Sequence, residues 1–353
     1  MNRKTDFNER EIIDIWTRIL PRSPIQINEP FEADAEIVKA PGSEVTRVAV
    51  TIDTISEEIS LGLYRHPFTI GWVAVMASLS DLAAVGAQPL GIVVSVSVDA
   101  GRDTLFCEEM ARGMAAACNT LGVYVLGGDT NSAERLSISV CSVGLCQSGK
   151  LMTRKDCAID DILYVSGRVG QGSALAVSQL EHRLQRAYDE VFYRPVARIR
   201  ESDFLREYTS CCMDTSDGLL RTLYEISTIN DVGIILDQSL ETCVDAEALT
   251  IAKLLKIPVW MMMAGPHGEF ELVFTIPPDR ENQFNTESGK IGWYPIRIGR
   301  IVPGRGVRLR TRGCYLRFDV SAIVDTVSSF DGSITRILES LGRCAITYEG
   351  AAS

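Results

Sequence analysis

The sequence predicts an α/β protein of two domains, shading into α+β where hairpins intrude. Three observations carry that reading. The 353 residues exceed what one ordinary domain needs, and about two domains is the default at this length. Apolar, β-branched runs alternate with stretches of helical periodicity in both halves of the chain. A polar, turn-rich junction over 149–161 separates two apolar blocks. Domains are therefore expected over residues 1–150 and 151–320, with a tail over 321–353.

The first block starts with residues 9–20, whose apolar positions recur at helical spacing and predict an amphipathic helix ended by Pro21 and Pro24. A loop or short strand follows over 31–38, then a turn at Pro41-Gly42. A strand over 46–52 delivers Asp53 and Thr54. The next helix begins near Pro67, carries Trp72, Val73, Val75, Met76, Leu79 and Leu82, and stops before Gly86 and Pro89. Asp81 falls in its last turns, against the negative end of the helix dipole, at a cost of about 0.3–1 kcal/mol. Either a bound cation offsets that cost or the carboxylate is solvated. Residues 90–98 alternate as a strand, 102–121 read as a helix, and strands over 123–126 and 136–146 complete the block.

The second block opens with a strand over 162–166 and a glycine turn at Gly167, Gly170 and Gly172, leading into a helix from Ser173. Helical stretches are expected over 195–208, 217–230 and 245–255, with strands over 211–213 and 232–236 between them. Strands over 270–276, 294–301 and 307–310 follow, and the tail carries a helix over 333–341.

Charge and cysteine usage narrow the function. A formal net charge of −11 argues against a nucleic-acid groove or a polybasic membrane surface. An anionic substrate would need a divalent metal to approach such a surface. The ten cysteines form no CxxC pair, so they read as thiols of a reducing cytoplasm rather than a disulfide framework or zinc site. The early Asp, Glu and Arg leave no secretory apolar core, and no apolar run reads as long enough to span a bilayer.

The informative constellation is a recurrence. Strand-like runs end in Asp-Thr three times, at Asp53-Thr54, Asp129-Thr130 and Asp214-Thr215. Any one pair also suits the N-cap of a following helix. Three pairs plus Asp81 favour convergence on one site at the carboxyl ends of strands. Two carboxylates about 4.5 Å apart repel by roughly 4 kcal/mol at an effective dielectric near 20. Several together need cations or protons. An all-oxygen donor set without His or Cys points to Mg²⁺ shared with substrate phosphates. Neither a Gly-x4-Gly-Lys-Ser/Thr loop nor a kinase His-Arg-Asp motif is present.

Ser80-Asp81-Leu82-Ala83-Ala84-Val85-Gly86-Ala87-Gln88-Pro89, Gly127-Gly128-Asp129-Thr130 and Met213-Asp214-Thr215-Ser216-Asp217-Gly218-Leu219 resemble the thiamine-monophosphate kinase family of the aminoimidazole-ribonucleotide (AIR) synthetase superfamily. Arg194-Pro195, Glu271-Leu272-Val273-Phe274-Thr275 and Ile298-Gly299-Arg300-Ile301-Val302 extend the resemblance from about Glu11 to Val307. It implies an N-terminal AIR-synthetase-like domain whose sheet pairs with a second copy into a barrel, a C-terminal α/β domain, and a homodimer. It also implies Mg²⁺ and ATP in an acidic cleft, with Asp34, Asp53, Asp81, Asp129 and Asp217 as metal ligands and Asp53, Asp129 and Asp217 as the catalytic acids. Gly127, Gly128, Thr130, Arg154 and Ser216 would line the nucleotide.

Several positions depart from the family pattern. Gly-Asp-Asp-Ala-Ala becomes Glu32-Ala33-Asp34-Ala35-Glu36, so one metal acid is Ala33. Glu-Gly-Val-His-Phe becomes Glu57-Glu58-Ile59-Ser60-Leu61, Gly-Gly-Glu-Asp-Tyr-Glu-Leu becomes Pro266-His267-Gly268-Glu269-Phe270-Glu271-Leu272, and Val73 stands for a lysine. These last changes fall largely on the acceptor side. His267 reads either as a new acceptor group or as a solvated loop histidine. The leading expectation is an ATP-dependent phosphotransferase with an altered small-molecule acceptor. An AIR-synthetase-like cyclase or ligase and a non-catalytic nucleotide-binding protein are the alternatives.

Overall fold

The computed structural model describes residues 9–43, 45–146, 151–181, 184, 187–265, 267–311, 314–328 and 334–348. Pro266, Ser333 and the first residues of the junction over 149–161 lie outside this set.

Two sheets organise the chain. The first contains β1 (Glu36–Lys39), β2 (Arg47–Thr54), β3 (Gln88–Asp99), β4 (Val125–Ala133) and β5 (Ser137–Cys146) in the order β1-β2-β5-β3-β4. Its pairs are antiparallel except the parallel β3–β4 edge. Strand β5 alternates half-buried and buried residues along its length, the signature of a sheet covered on one face only. Helices α1 (Glu9–Ile19), α2 (Ser56–Leu61), α3 (Pro67–Ala84) and α4 (Thr104–Leu121) complete this half.

The second sheet contains β6 (Ile162–Val165), β7 (Cys212–Asp214), β8 (Gly233–Leu236), β9 (Leu272–Ile276), β10 (Ile296–Val302), β11 (Gly306–Arg310), β12 (Tyr315–Phe318) and β13 (Ala345–Tyr348). Their order is β13-β12-β11-β8-β10-β6-β9-β7. Strands β6, β8 and β9 are buried at every residue, which is why they read as unbroken apolar runs. Helices α5 (Gln171–Leu180), α6 (Ile199–Leu205), α7 (Leu219–Asn230), α8 (Ala246–Leu255), α9 (Glu281–Lys290), α10 (Val320–Ser328) and α11 (Ile334–Leu341) complete the fold.

Helix α3 is the shared beam. It is apolar nearly all round because it is enclosed nearly all round, with 15 of its 18 residues buried. By length and composition it is one helix apolar enough to cross a membrane, contrary to the expectation that no run reaches that length. Here the run fills a protein core. Gly71 and Gly113 set how closely α3 and α4 cross: a Cβ on either would come within 2.0 Å of a backbone oxygen of the other helix. The second half grips the same helix. Glu190 Oε1 accepts the amides of Arg65 (2.9 Å) and His66 (2.8 Å) at its start. Trp72 Nε1 donates to Pro195 O at 2.7 Å.

Those contacts explain one difference from the expected elements. The helix anticipated over 195–208 shrinks to α6, because Pro195 O and Ala197 N are taken by Trp72 and Met76 of α3 rather than by a helical ladder. The strand expected over 123–126 also runs further, so that Gly127-Gly128-Asp129-Thr130 lies inside β4 instead of beyond its end.

Candidate functional site

The site forms where the end of α3 meets β2 of the first sheet and β7 of the second. Asp34 (before β1), Asp81 (last turn of α3) and Asp214 (end of β7) each turn one carboxylate oxygen inward, all within 4.8 Å of one another. Each is aimed by a neighbour. Thr51 Oγ1 donates to Asp81 Oδ2 at 2.5 Å. Ser80 Oγ reaches across the two halves to Asp214 Oδ2 at 2.6 Å, and Ser216 donates its hydroxyl (2.9 Å) and amide (3.2 Å) to Asp214 Oδ1. Arg154 clamps Asp34 Oδ1 through Nη2 at 2.8 Å and Nε at 3.3 Å. The Asp34 side chain is only 1% exposed.

Asp53 adds a fourth carboxylate from β2. Its Oδ2 and the Oδ2 of Asp34 are sealed from solvent without a hydrogen-bond partner. Such orphaned anionic oxygens are costly unless something positive meets them. The electrostatics report the same crowding. Burial, with Asp34 and Asp217 nearby, pushes Asp53 up to about 6. Burial, then the charges of Asp53, Asp214 and Asp34, pushes Asp81 well above the carboxylate range despite the Thr51 donor. Burial and Asp34 lift Asp214 to about 7. This donor set of oxygens alone, with unsatisfied lone pairs, fits Mg²⁺ or another hard divalent cation.

Asp217 sits just outside the trio. Gly218, at φ +84°, turns the chain before α7 starts, so Asp217 precedes the helix expected over 217–230 and pairs with Arg221 at 3.2 Å. Its charge still acts on Asp53 and on Glu58. Glu58, on α2, keeps a sealed and unpartnered Oε2. Burial, then Glu57, Asp217 and Asp53, pushes it up to about 7. It brings a further carboxyl to the acid cluster that the metal-ligand set read from the sequence omits.

Asp129 does not join these residues within one chain. Asp53 shares a register row with Val140, Val94 and Gly128, whereas Asp129 shares the next row with Ser95, Ser139 and Thr54. Adjacent rows project to opposite faces of a sheet. Val140 is fully buried while Ser95 and Thr54 are exposed, so Asp53 points under the helices and Asp129 to the open face. Three strand spacings, roughly 14 Å, also separate β2 from β4. On that face Asp129 accepts a 2.6 Å hydrogen bond from Asn131, while Gly127, Gly128 and Thr130 are exposed along the same edge strand. Arg154 and Ser216, expected along the nucleotide, hold Asp34 and Asp214.

Asp214 is the residue that the resemblance passed over in favour of Asp217. Its signal was present as the third strand-ending Asp-Thr pair. Beyond the acids, Tyr64 stacks on Tyr193 with centroids 6.0 Å apart, and Tyr193 donates its hydroxyl to Gly268 O. Glu269 accepts the Gln171 and Gly172 amides at 3.1 Å each, and burial pushes it up to about 8. His267 is half-buried rather than free in solvent.

Residues 32–146 match the model of the AIR synthase related protein, N-terminal domain. The thiamine-monophosphate kinase of Archaeoglobus fulgidus is 28% identical over 305 residues, 86% of this chain and 92% of that protein. The enzyme of the same name from Pyrococcus horikoshii is 30% identical over 262 residues, 74% of this chain and 80% of its own length. Among solved structures, AaThiL complexed with AMPPCP and TMP superposes with a TM-score of 0.70 at 23% identity, covering 88% of this chain and 95% of that one.

Proposed function

The chain belongs to the thiamine-monophosphate kinase family and is an ATP-dependent phosphotransferase; from that premise we propose that it uses Mg²⁺ to pass the γ-phosphoryl group to a small-molecule acceptor. The observation that carries the magnesium is the convergence of Asp34, Asp81 and Asp214 beside the orphaned oxygens of Asp34 and Asp53. When bound there, the metal supplies neutralising charge for polyphosphate oxygens. The protein's own share is positioning, which is most of what phosphoryl transfer asks of it. Thr51, Ser80 and Ser216 fix the rotamers of Asp81 and Asp214, and Arg154 holds Asp34. Glu58 lies on the acceptor side by resemblance, where its carboxyl bears on which acceptor is taken.

The test is ADP release with Mg²⁺, ATP and a panel of acceptors headed by thiamine monophosphate. Stoichiometric ADP and phosphorylated acceptor, both lost on chelation, are expected. Nucleotide binding with no ADP from any acceptor would reduce the protein to a binding role. The ten cysteines are all free thiols, which supports a reducing, cytoplasmic setting.

We also propose a homodimer built on the open face of the first sheet. Ile52 (68% exposed), Val93 (40%), Leu126 (60%) and Tyr124 (76%) make that side of the molecule unusually apolar. A second copy packed there would enclose Asp129 at the seam. Val93→Glu is expected to give monomers in sedimentation equilibrium; a variant that remains dimeric would place the contact elsewhere.

A further inference from the structure

The loop that holds Asp34 is itself fastened by a pair of thiols. Thr153 bridges to Cys211 at the start of β7, with Thr153 N donating to Ser210 O at 2.8 Å and Cys212 N to Thr153 O at 2.7 Å. Arg154 N donates to Glu32 O at 2.8 Å, just before Asp34. Asp156, at φ +68°, turns the chain back so that Cys157 faces the same strand. Cys211 Sγ donates to Arg154 O at 3.5 Å and Ser210 Oγ to Asp156 O at 3.4 Å, so the residues just before Cys157 are tied to Ser210 and Cys211 and its thiol acts on that of Cys211. Cys211 is fully buried, while Cys157 is half-buried and reachable by a small oxidant.

We infer that Cys157 and Cys211 are a modification site: a dithiol whose oxidation to a disulfide loosens the Arg154–Asp34 clamp and so weakens Mg²⁺–nucleotide binding. The hydrogen bond from Cys211 holds the Cys157 thiol below its usual range, against the opposing effects of burial and Asp161. Cys118, Cys146 and Cys243 are pushed the other way by burial. Attack by a thiolate is what makes one cysteine react before others. With hydrogen peroxide as oxidant, Cys157 sulfur attacks one peroxide oxygen, forms a sulfenic acid and releases hydroxide, which is protonated to water. Cys211 sulfur then attacks the Cys157 sulfur, gives up its proton and expels a second water. The two thiols lose two electrons and the peroxide gains them.

The geometric consequence follows from bond length. A disulfide is about 2.05 Å long, so two separate thiols must close up to form one. Cys211 simultaneously loses the proton it shares with Arg154 O. That carbonyl keeps the Asn230 amide at 2.8 Å, but the turn over 153–157 must shift. Its next fixed points are Arg154 on Asp34 and, three residues after Cys211, Asp214 itself. The binding consequence rests on the phosphotransferase reading; the cross-link does not.

The experiment treats the full chain with hydrogen peroxide and reads three things: a peptide map without reductant, hydrogen exchange over residues 32–37, and affinity for Mg²⁺ with a non-hydrolysable ATP analogue. A Cys157–Cys211 cross-link, faster exchange over 32–37 and a dissociation constant raised about tenfold or more are expected, all reversed by dithiothreitol. Cys157→Ser should bind nucleotide like the untreated protein and ignore peroxide. Peroxide that leaves this pair unlinked overturns the site. A linked pair with unchanged exchange over 32–37 overturns its coupling to Asp34, whether or not the analogue binds. Unchanged affinity in a linked protein overturns the effect on nucleotide.

Discussion

Asp81→Asn is expected to remove magnesium-dependent nucleotide binding and, at the same time, to make the metal-free protein more stable. The two effects share one cause. Asp81 is packed among Asp34, Asp53 and Asp214, with Thr51 donating to it. Neighbouring carboxylates at such spacing repel by roughly 4 kcal/mol per pair at an effective dielectric near 20. An amide of the same shape keeps an oxygen for Thr51 and drops the charge, so unfolding in chelator should cost about 1–3 kcal/mol more. The same change removes a metal ligand, and kcat should fall by about 10²–10³-fold or more. Chemical denaturation in EDTA and calorimetry with Mg²⁺ and an ATP analogue separate the two readouts. A variant that is less stable in EDTA yet binds nucleotide normally would show Asp81 to be an ordinary buried acid.

The pH dependence carries the second large effect. Asp53 and Asp214 stand at about 6 and about 7 in the folded chain, against 3.8 for an unperturbed aspartate. Between those limits the folded state keeps protons that the unfolded chain has released. Stability of the metal-free protein is therefore full below about pH 4 and declines as pH rises through about 6–7. Each unit of displacement is worth about 1.4 kcal/mol, so the summed loss is several kcal/mol. Glu58, at about 7, adds to it with the same sign. Magnesium competes with those protons, and its stabilising effect should grow over the same window. Thermal scans with EDTA or Mg²⁺ across this range check both halves. Metal-free stability that climbs with pH here would mean that these acids are ionised and paired in the fold.

Much of this site was readable before any coordinates. The acid near the end of an otherwise apolar helix marked Asp81, and strand-ending Asp-Thr pairs marked Asp53 and Asp214. What could not be read was register. Whether Asp129 shares a face with Asp53 depends on pairing across β5 and β3, and a shift of one residue in any of those ladders reverses the answer. Choosing between Asp214 and Asp217 turned on where α7 begins, which Gly218 and its close approach to Gly265 O decide. The thiol pair was invisible for a related reason. Cys157 and Cys211 are far apart in sequence and meet only because Thr153 joins the edge of β7. The alternation of β3 and β5 and the enclosed strands of the second sheet were legible because burial imposes its period directly on composition.

The sequence reads beyond residue 321 as a tail, yet β13 pairs along the whole of β12 at one edge of the eight-stranded sheet. Left uncovered, β12 would offer its row of amides and carbonyls to any passing extended segment. Strand β13 covers that row at all four positions. The final segment thereby works as a selvedge, and a version shortened before β13 would bare that row to self-association even with its acid cluster in place.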